Sequence, residues 1–324
     1  MGDRYARQRV LPEVGAEGQA RLGAASVLVI GAGGLGCPVL QYLCAAGVGH
    51  LRIVDPDRVE ESNLHRQPLF RMSDLGRGKA VAAQAALGEL NPFVRIEAVP
   101  ERLSAANIER LLEDTVLAID AADSLAATYV LSDACRAAGK PLVSASALGL
   151  SGYAGAFCGG GPSYRAVFPE MPRAAGSCAE AGVLGPVVGV MGALQAQMAL
   201  ALLLGLEPTV LGQLVTIDFR TLRFGGFSFA QAQEPEGAAL AFISPQQIAR
   251  ADIVIDLRSL EETPVSPIAA ALRLGVDQVE RAETRFPAGP RIVLCCRSGI
   301  RAWRAARALQ RQGHSNLALI AFGE

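Results

Sequence analysis

Apolar residues fall into short unbroken blocks separated by longer stretches of helical spacing, an alternation that predicts parallel strands joined by helices. Residues 27–30, Val-Leu-Val-Ile, read as a strand buried on both faces. The block stops at Gly31, Gly33, Gly34 and Gly36, and a helical pattern follows over 39–46. Residues 51–55 and 116–120 repeat the theme, each block ending in an acid, and 141–147 predicts a further strand. Helices are expected over 15–22, 79–90 and 187–204, strands over 214–229, and a glycine-rich loop over 149–185. From 228 to 240 the composition turns to Gln, Glu, Pro, Gly and Ala, which predicts a linker. Strands at 252–258 and 291–296 and a helix at 302–312 follow. The pattern therefore implies an α/β protein with a doubly wound sheet over 1–227, a linker over 228–240 and a smaller α/β unit over 241–324.

The glycine spacing after the first strand changes this outline into a candidate binding site. In G-x-G-x-x-G, Gly31 permits the tight turn, Gly33 lets backbone approach a ligand, and Gly36 lets the new helix pack on the strand. The helix N-terminus adds free N–H groups and a positive dipole end, so the loop is a phosphate cradle. Asp55 lies 19 positions after Gly36, where a ribose-binding carboxylate belongs. Such a fingerprint is commonest in NAD and FAD enzymes. Here, however, a polar loop follows Asp55 and carries Asp57, Asn63, Arg66 and Gln67, a cationic insertion that a dehydrogenase does not need. Lys79 opens a helix, which is unfavourable against the helix dipole unless an anion is held there. Asp120 is placed to cap a turn, and Asp123 lies where a doubly wound sheet puts ligands; a carboxylate facing phosphates usually works through Mg²⁺.

Composition excludes several classes. With 324 residues, 51% of them hydrophobic, and a mean hydropathy of +0.29, the chain can bury a large core. A formal net charge of −1 argues against a nucleic-acid coat or a polybasic membrane anchor. The N-terminus lacks an apolar signal core and the longest apolar run, 198–204, is short, so the expectation is a cytoplasmic protein with neither membrane nor nucleic-acid partners. The seven cysteines are odd in number and include no C-x-x-C pair, which suggests neither a disulfide framework nor a thiolate zinc site. Cys178 sits among small residues, Gly-Ser-Cys-Ala-Glu-Ala-Gly, which favours exposure over the usual role of a buried filler. Cys296 ends a strand, beside Arg297 and Arg301 and at a helix N-terminus, all of which favour a thiolate or persulfide anion. Cys295 stands one place too early for that cup.

Together, Arg4-Tyr-x-Arg7-Gln8, the glycine fingerprint, Asp55, Asn63-Leu-His-Arg66-Gln67, Gly78-Lys79, Asp120-x-x-Asp123 and Cys178-x-Glu180-Ala-Gly-Val resemble the MoeB/ThiF family over about residues 1–227. These are bacterial relatives of ubiquitin-activating enzymes. The resemblance implies a Rossmann-like sheet of ThiF/MoeB type and adenylation of the C-terminal glycine of a small ubiquitin-like sulfur carrier ending in Gly-Gly, using ATP and Mg²⁺ and releasing pyrophosphate. It gives Asp55 to the ribose, Asn63, Arg66 and Lys79 to the phosphates, and Asp123 to Mg²⁺. Arg7 would reach the triphosphate of a neighbouring subunit, which implies a homodimer. Cys178 matches a family cysteine that in some members links covalently to the carrier. The chain departs from the family where many members hold zinc on two C-x-x-C pairs: Ser163-Tyr-Arg-Ala166 has no cysteine, nor does 214–239, so no zinc is expected. Ser124 stands where asparagine is usual.

The tail, 241–324, resembles a rhodanese domain through Asp256-x-Arg258 and the loop Cys296-Arg-Ser-Gly-Ile-Arg301, with Ser266-Pro-Ile-Ala-Ala a weak echo of a further family segment. That implies sulfur transfer to the activated carrier, with a cysteine desulfurase or another compound as donor. Three other readings stay open from the residues: an NAD-dependent oxidoreductase, a same-superfamily enzyme acting on a tRNA base or peptide, and a non-catalytic partner-binding protein.

Overall fold

The computed structural model describes residues 3–172, 182–237 and 239–323. Two short helices, α1 (Ala6–Arg9) and α2 (Gly15–Ala24), lead into β1 (Ser26–Ile30), α3 (Gly36–Ala46) and β2 (His50–Val54). Then come α4 (Lys79–Leu90), β3 (Arg95–Val99), α5 (Ile108–Leu112), β4 (Leu117–Asp120), α6 (Leu125–Ala137) and β5 (Pro141–Leu148). The large unit closes with β6 (Ser151–Cys158), α7 (Tyr164–Val167), α8 (Gly185–Leu204), β7 (Gln213–Asp218) and β8 (Arg223–Ser228). These strands form one eight-stranded sheet in the order β3-β2-β1-β4-β5-β6-β7-β8, parallel through β5 and antiparallel beyond it.

The branched run in β1 behaves as its pattern predicts. Val27 and Val29 join the core under α3, α4 and α8, while Leu28 and Ile30 join the core under α5 and α6, because successive side chains leave a strand on opposite faces. Helix α3 starts at Gly36, three residues before the apolar pattern announces it, since Gly36 has no side chain to mark a period. Helix α8 is long and apolar enough to cross a membrane by length and composition, yet 56% of that window is buried inside the protein. It lies across β5 and β6 and packs on α3.

One expectation fails. The stretch 149–185 is not a continuous loop: it contains β6, an eight-residue strand between β5 and β7. Its glycines reflect crowding, for a side chain at Gly152 would meet Met191 of α8 at 2.9 Å. Glycine content had signalled a loop where it marks a close helix–sheet approach.

A second sheet follows, built from β9 (Ala241–Phe242), β10 (Ile253–Asp256), β11 (Leu272–Arg273), β12 (Ile292–Cys296) and β13 (Leu317–Ala321), all parallel, in the order β11-β10-β12-β13-β9. Helices α9 (Val276–Glu280) and α10 (Ile300–Arg311) accompany it. The stretch expected to be a linker is not a free tether. The Glu234 carboxylate accepts from the amide and hydroxyl of Ser163 at 2.8 and 2.6 Å and pairs with Arg136, and Leu240 is buried. One continuous hydrophobic cluster runs from Leu28 and Ile30 of β1 through Tyr129 of α6 to Leu294 and Cys296 of β12.

Candidate active site

The glycine loop is shaped by collisions that any side chain would cause. Gly31 has φ +95°, and a Cβ there would sit 2.5 Å from the carbonyl oxygen of Ala121. A Cβ on Gly36 would strike the carbonyl oxygen of Gly31. Gly33 is different: the nearest atom to a Cβ there is Nε2 of Gln67, at 3.7 Å, so backbone is open to close approach. The Oε1 of that buried Gln67 has no hydrogen-bond partner, and a bound group with a donor would satisfy it.

Asp55 sits just past β2 with both carboxylate oxygens engaged. Oδ2 accepts from the Ala32 amide at 2.7 Å, inside the glycine loop, and Oδ1 accepts from the Asp57 amide at 2.9 Å. Burial pushes its pKa up, against the pull of these amides and of Lys79. Asp55 therefore fixes the loop, and each of its oxygens keeps a lone pair beyond these two bonds. The anion that Lys79 required at its helix start is Asp57: Lys79 Nζ donates to Asp57 Oδ2 at 2.9 Å, and the Lys79 amide donates to the Asp57 carbonyl at 2.8 Å. Lys79 is buried and Asp57 half-exposed, so the ammonium is held at the rim by a partner that can give way to phosphate.

Asn63 is buried in a short 3₁₀ turn, and Arg66 folds back on the same turn, donating to the Ser62 carbonyl and sharing a hydrogen bond with His65 Nε2 at 2.8 Å. Asp123 is exposed at the carboxyl end of β4. Ser124, which replaces the usual asparagine, caps α6 by accepting from the Ala127 amide at 3.4 Å. Asp120 caps the turn as expected, accepting from the Ala122 amide at 3.3 Å, but it is also fully buried and accepts from Ser144 Oγ at 2.8 Å. Burial raises its pKa to about 6. Ser144 and Gln195, which donates to the Asp120 carbonyl at 2.7 Å, carried no motif; their role comes only from the packing of β5 and α8 behind β4.

Two candidates fall outside this group. Arg7 is exposed in α1, and α1 is moored at the far end of α3: Gln8 Nε2 donates to the Ala46 carbonyl, and the Tyr5 ring lies against Gly47. The long axis of α3 separates it from the glycine loop of its own chain. Cys178 lies outside the described residues. Among the described residues no group of three or more His, Cys, Asp or Glu is gathered as a metal cage. Asp123 as a single exposed carboxylate fits a Mg²⁺ that takes its other ligands from phosphates and water.

The second candidate centre lies at the end of β12. The Gly299 and Ala302 amides donate to Cys296 Sγ at 3.1 and 3.4 Å, which is the expected cup, with Gly299 at φ +89° to form it. The thiol is nevertheless fully buried, and burial raises its pKa against the pull of the amides and Arg301. The expected low-pKa thiolate is thus corrected: the cup is present, but desolvation outweighs it. Cys295 faces the opposite side of the strand, where burial pushes its thiol up to about 12. Behind the cup, Arg258 forks onto Asp256 at 3.0 and 2.8 Å, and Arg301 pairs with Glu262 at 2.5 Å.

Comparison with known proteins fits this geometry. The ThiF family pattern matches residues 5–238. A sulfur carrier protein adenylyltransferase of Thermus thermophilus is 48% identical over 224 residues, covering 67% of this chain and 83% of its own length. The adenylyltransferase and sulfurtransferase MOCS3 of Bos taurus is 48% identical over 228 residues, 68% of this chain; the match spans half of that relative's length. Among solved structures, MccB of E. coli with ATP shares the fold, with a TM-score of 0.62 at 20% identity over 71% of this chain and 72% of that one. PaaA does so with a TM-score of 0.60 at 23% identity, covering 70% and 72%.

Proposed function

The chain belongs to the ThiF family, and from that premise we propose that it adenylates the C-terminal glycine of a small ubiquitin-like sulfur carrier ending in Gly-Gly, with ATP as the second substrate. The observation that carries the reading is the gathering of the open glycine loop, Asp55, the Lys79–Asp57 pair and Asp123 at one end of the large sheet. The carrier carboxylate is ionised at neutral pH and needs no base to attack the α-phosphorus. Charge is the obstacle, because the transition state and the departing pyrophosphate are strongly anionic. Lys79 meets that charge by exchanging Asp57 for phosphate, and Arg66 meets it by unfolding from the Ser62 turn. Mg²⁺, held by Asp123 and the phosphates, supplies further neutralisation when bound. Asp55 takes the ribose hydroxyls while keeping the Ala32 amide in place. In a homodimer, Arg7 serves the triphosphate of the neighbouring subunit, a role that its mooring at the far end of α3 supports.

The same reading extends to residues 241–324 as a rhodanese-like domain: the Cys296 thiolate attacks the sulfane sulfur of a donor, the persulfide of a cysteine desulfurase or a compound such as thiosulfate, an S–S bond forms to Cys296, and the donor leaves as its thiolate or as sulfite with the electron pair of the broken S–S bond. The terminal sulfur of the Cys296 persulfide attacks the carrier's acyl carbonyl: a C–S bond forms, the C–O bond to AMP breaks, and AMP leaves with the electron pair. A small-molecule thiol then attacks the Cys296 sulfur of the acyl disulfide, releasing the carrier thiocarboxylate and leaving Cys296 in a mixed disulfide. A second thiol reduces that disulfide. The Gly299 and Ala302 amides supply the donors that a persulfide anion needs.

The test is ATP–pyrophosphate exchange with Mg²⁺, with and without a ThiS- or MoaD-like carrier. Carrier-dependent exchange is expected, and Asp123→Ala should lower it about 10²–10³-fold while circular dichroism stays unchanged. Exchange undiminished in Asp123→Ala would overturn the role given to Asp123; no exchange with any such carrier would overturn the choice of substrate.

A further inference from the structure

Resting on that reading, we infer that Arg165 and Trp303 form an interdomain clamp that docks the second sheet against the head of α6, so that sulfur passes within one chain by local opening of the Cys296 loop, whose thiol is fully buried at rest, and not by a swing of the whole domain. Arg165 is a buried cation at the junction of three segments. Its Nε and Nη2 fork onto Asp133 of α6 at 2.6 and 2.8 Å, and Nη2 also donates to the Leu240 carbonyl at 3.0 Å, where the chain enters the second sheet. The guanidinium lies 4.7 Å from the centroid of Tyr129 and 5.5 Å from that of Trp303. Those two rings are 5.1 Å apart, one on α6 and the other on α10. Trp303 Nε1 donates to Glu170 at 3.0 Å, and Arg307 of α10 pairs with the same carboxylate at 2.6 Å. A cation set against two neighbouring rings and fixed by a bidentate carboxylate has little freedom to slide.

The placement that results is specific. Gly299 donates to the Cys296 sulfur, and a Cβ on Gly299 would lie 3.4 Å from Cβ of Ala126 in the first turn of α6. Ala126 is three residues beyond Asp123, the proposed Mg²⁺ ligand. The thiol cup and the nucleotide end of the large sheet are therefore neighbours, bridged by one helical turn. Cys296 belongs to the hydrophobic cluster that also holds Tyr129 and Trp303, so its sulfur faces the side shared by both sheets. None of the clamp residues touches the proposed nucleotide groups, which makes them positioning residues.

Trp303 is the only tryptophan, so its emission reports the clamp directly. The experiment uses the full chain and Arg165→Met, which keeps bulk and removes the fork. Three quantities are followed: carrier-dependent pyrophosphate exchange, thiosulfate-to-cyanide sulfur transfer, and thiocarboxylate formed on the carrier in the presence of a thiol. Both half reactions should stay within about twofold, thiocarboxylate formation should fall about tenfold or more, and Trp303 emission should shift to the red. Glu170→Gln, nearly isosteric, should show the same signs in smaller measure and serves if Arg165→Met fails to fold. Unchanged thiocarboxylate yield with shifted emission would overturn the positioning role; unchanged emission would overturn the clamp. Failure of a half reaction in the unaltered chain would overturn the underlying functional reading instead, and the emission test of the clamp is independent of it.

Discussion

Each sheet ends a strand in a fully buried aspartate, and the two acids live under opposite electrostatics. Asp120 closes β4 beside the glycine loop among neutral donors: the Ala122 amide and the hydroxyls of Ser144 and Thr128. Burial dominates there and raises its pKa to about 6. Asp256 closes β10 beside the Cys296 loop. Burial pushes it upward too, yet the hydrogen bonds from Arg258 and Ser266 outweigh burial and hold the carboxyl below the usual range. The adjoining loops differ in the same sense: Gly33 is left open to approach, whereas the Gly299 and Ala302 amides are taken by the chain's own sulfur. An end that brings few fixed charges leaves room for the charge of a ligand, which is what the proposed function asks of the large sheet. The end that buries an anion of its own, Asp256, has to carry the compensating cation itself.

The sharpest way to break this contrast is to remove the cation from the small sheet. Arg258→Met strips Asp256 of its buried partner, and Arg273, at 3.9 Å, is too distant to replace the fork. A buried carboxylate left unpaired costs about 3–5 kcal/mol. Urea unfolding should show a loss of that size at pH 7, shrinking at acid pH as Asp256 becomes protonated. A loss under about 1 kcal/mol would mean that Ser266 and solvent already satisfy the acid, and the two ends would be less unlike than drawn.

On the large sheet the corresponding break is in shape. Gly36→Ala drives a methyl into the Gly31 carbonyl, a backbone group that cannot swing aside as a side chain could, so the strand–helix junction has to open. Overpacking of this kind costs about 1–3 kcal/mol. The more telling readout is ATP protection against heat, which should disappear because the loop loses the turn that exposes Gly33. Retained protection would show that the cradle does not depend on this junction.

These centres were legible in the sequence to different depths. The glycine loop could be read because collisions with Ala121 and Gly31 leave glycine as the one residue that fits, so spacing alone encodes geometry. Lys79 could be read as needing an anion, but not that Asp57 supplies it, since the pairing depends on where the intervening loop returns. Strand β6 was hidden because its glycines answer to Met191 of α8 and the Gln213 carbonyl of β7, partners set by tertiary packing. The amide cup around Cys296 was visible in Ser-Gly-Ile-Arg; the burial that reverses its effect on the thiol was not, because it comes from packing shared with the large sheet. Arg165 gave no sign at all, sitting where the family pattern drew attention only to missing cysteines.

The gentlest test concerns Asp120. Its folded pKa, about 6, lies above the ordinary value of 3.8, so the folded state holds the proton more tightly than the unfolded chain does. Stability from that proton is fully present below about pH 4 and is lost as pH rises through about 6. At neutral pH the ionised carboxylate is a net burden of up to about 3 kcal/mol, two units at roughly 1.4 each. Asp120→Asn removes the titration but turns an amide N–H₂ toward one of its three donors, which returns about 1 kcal/mol or more of that gain. The variant should therefore be about 1–2 kcal/mol more stable than the parent at pH 7.5 and no more stable at pH 4, as read from urea midpoints across that range. A difference constant with pH would mean that Ser144, Thr128 and the Ala122 amide stabilise the carboxylate as fully as Arg258 stabilises Asp256, and the contrast between the two sheets would then rest on the loops alone.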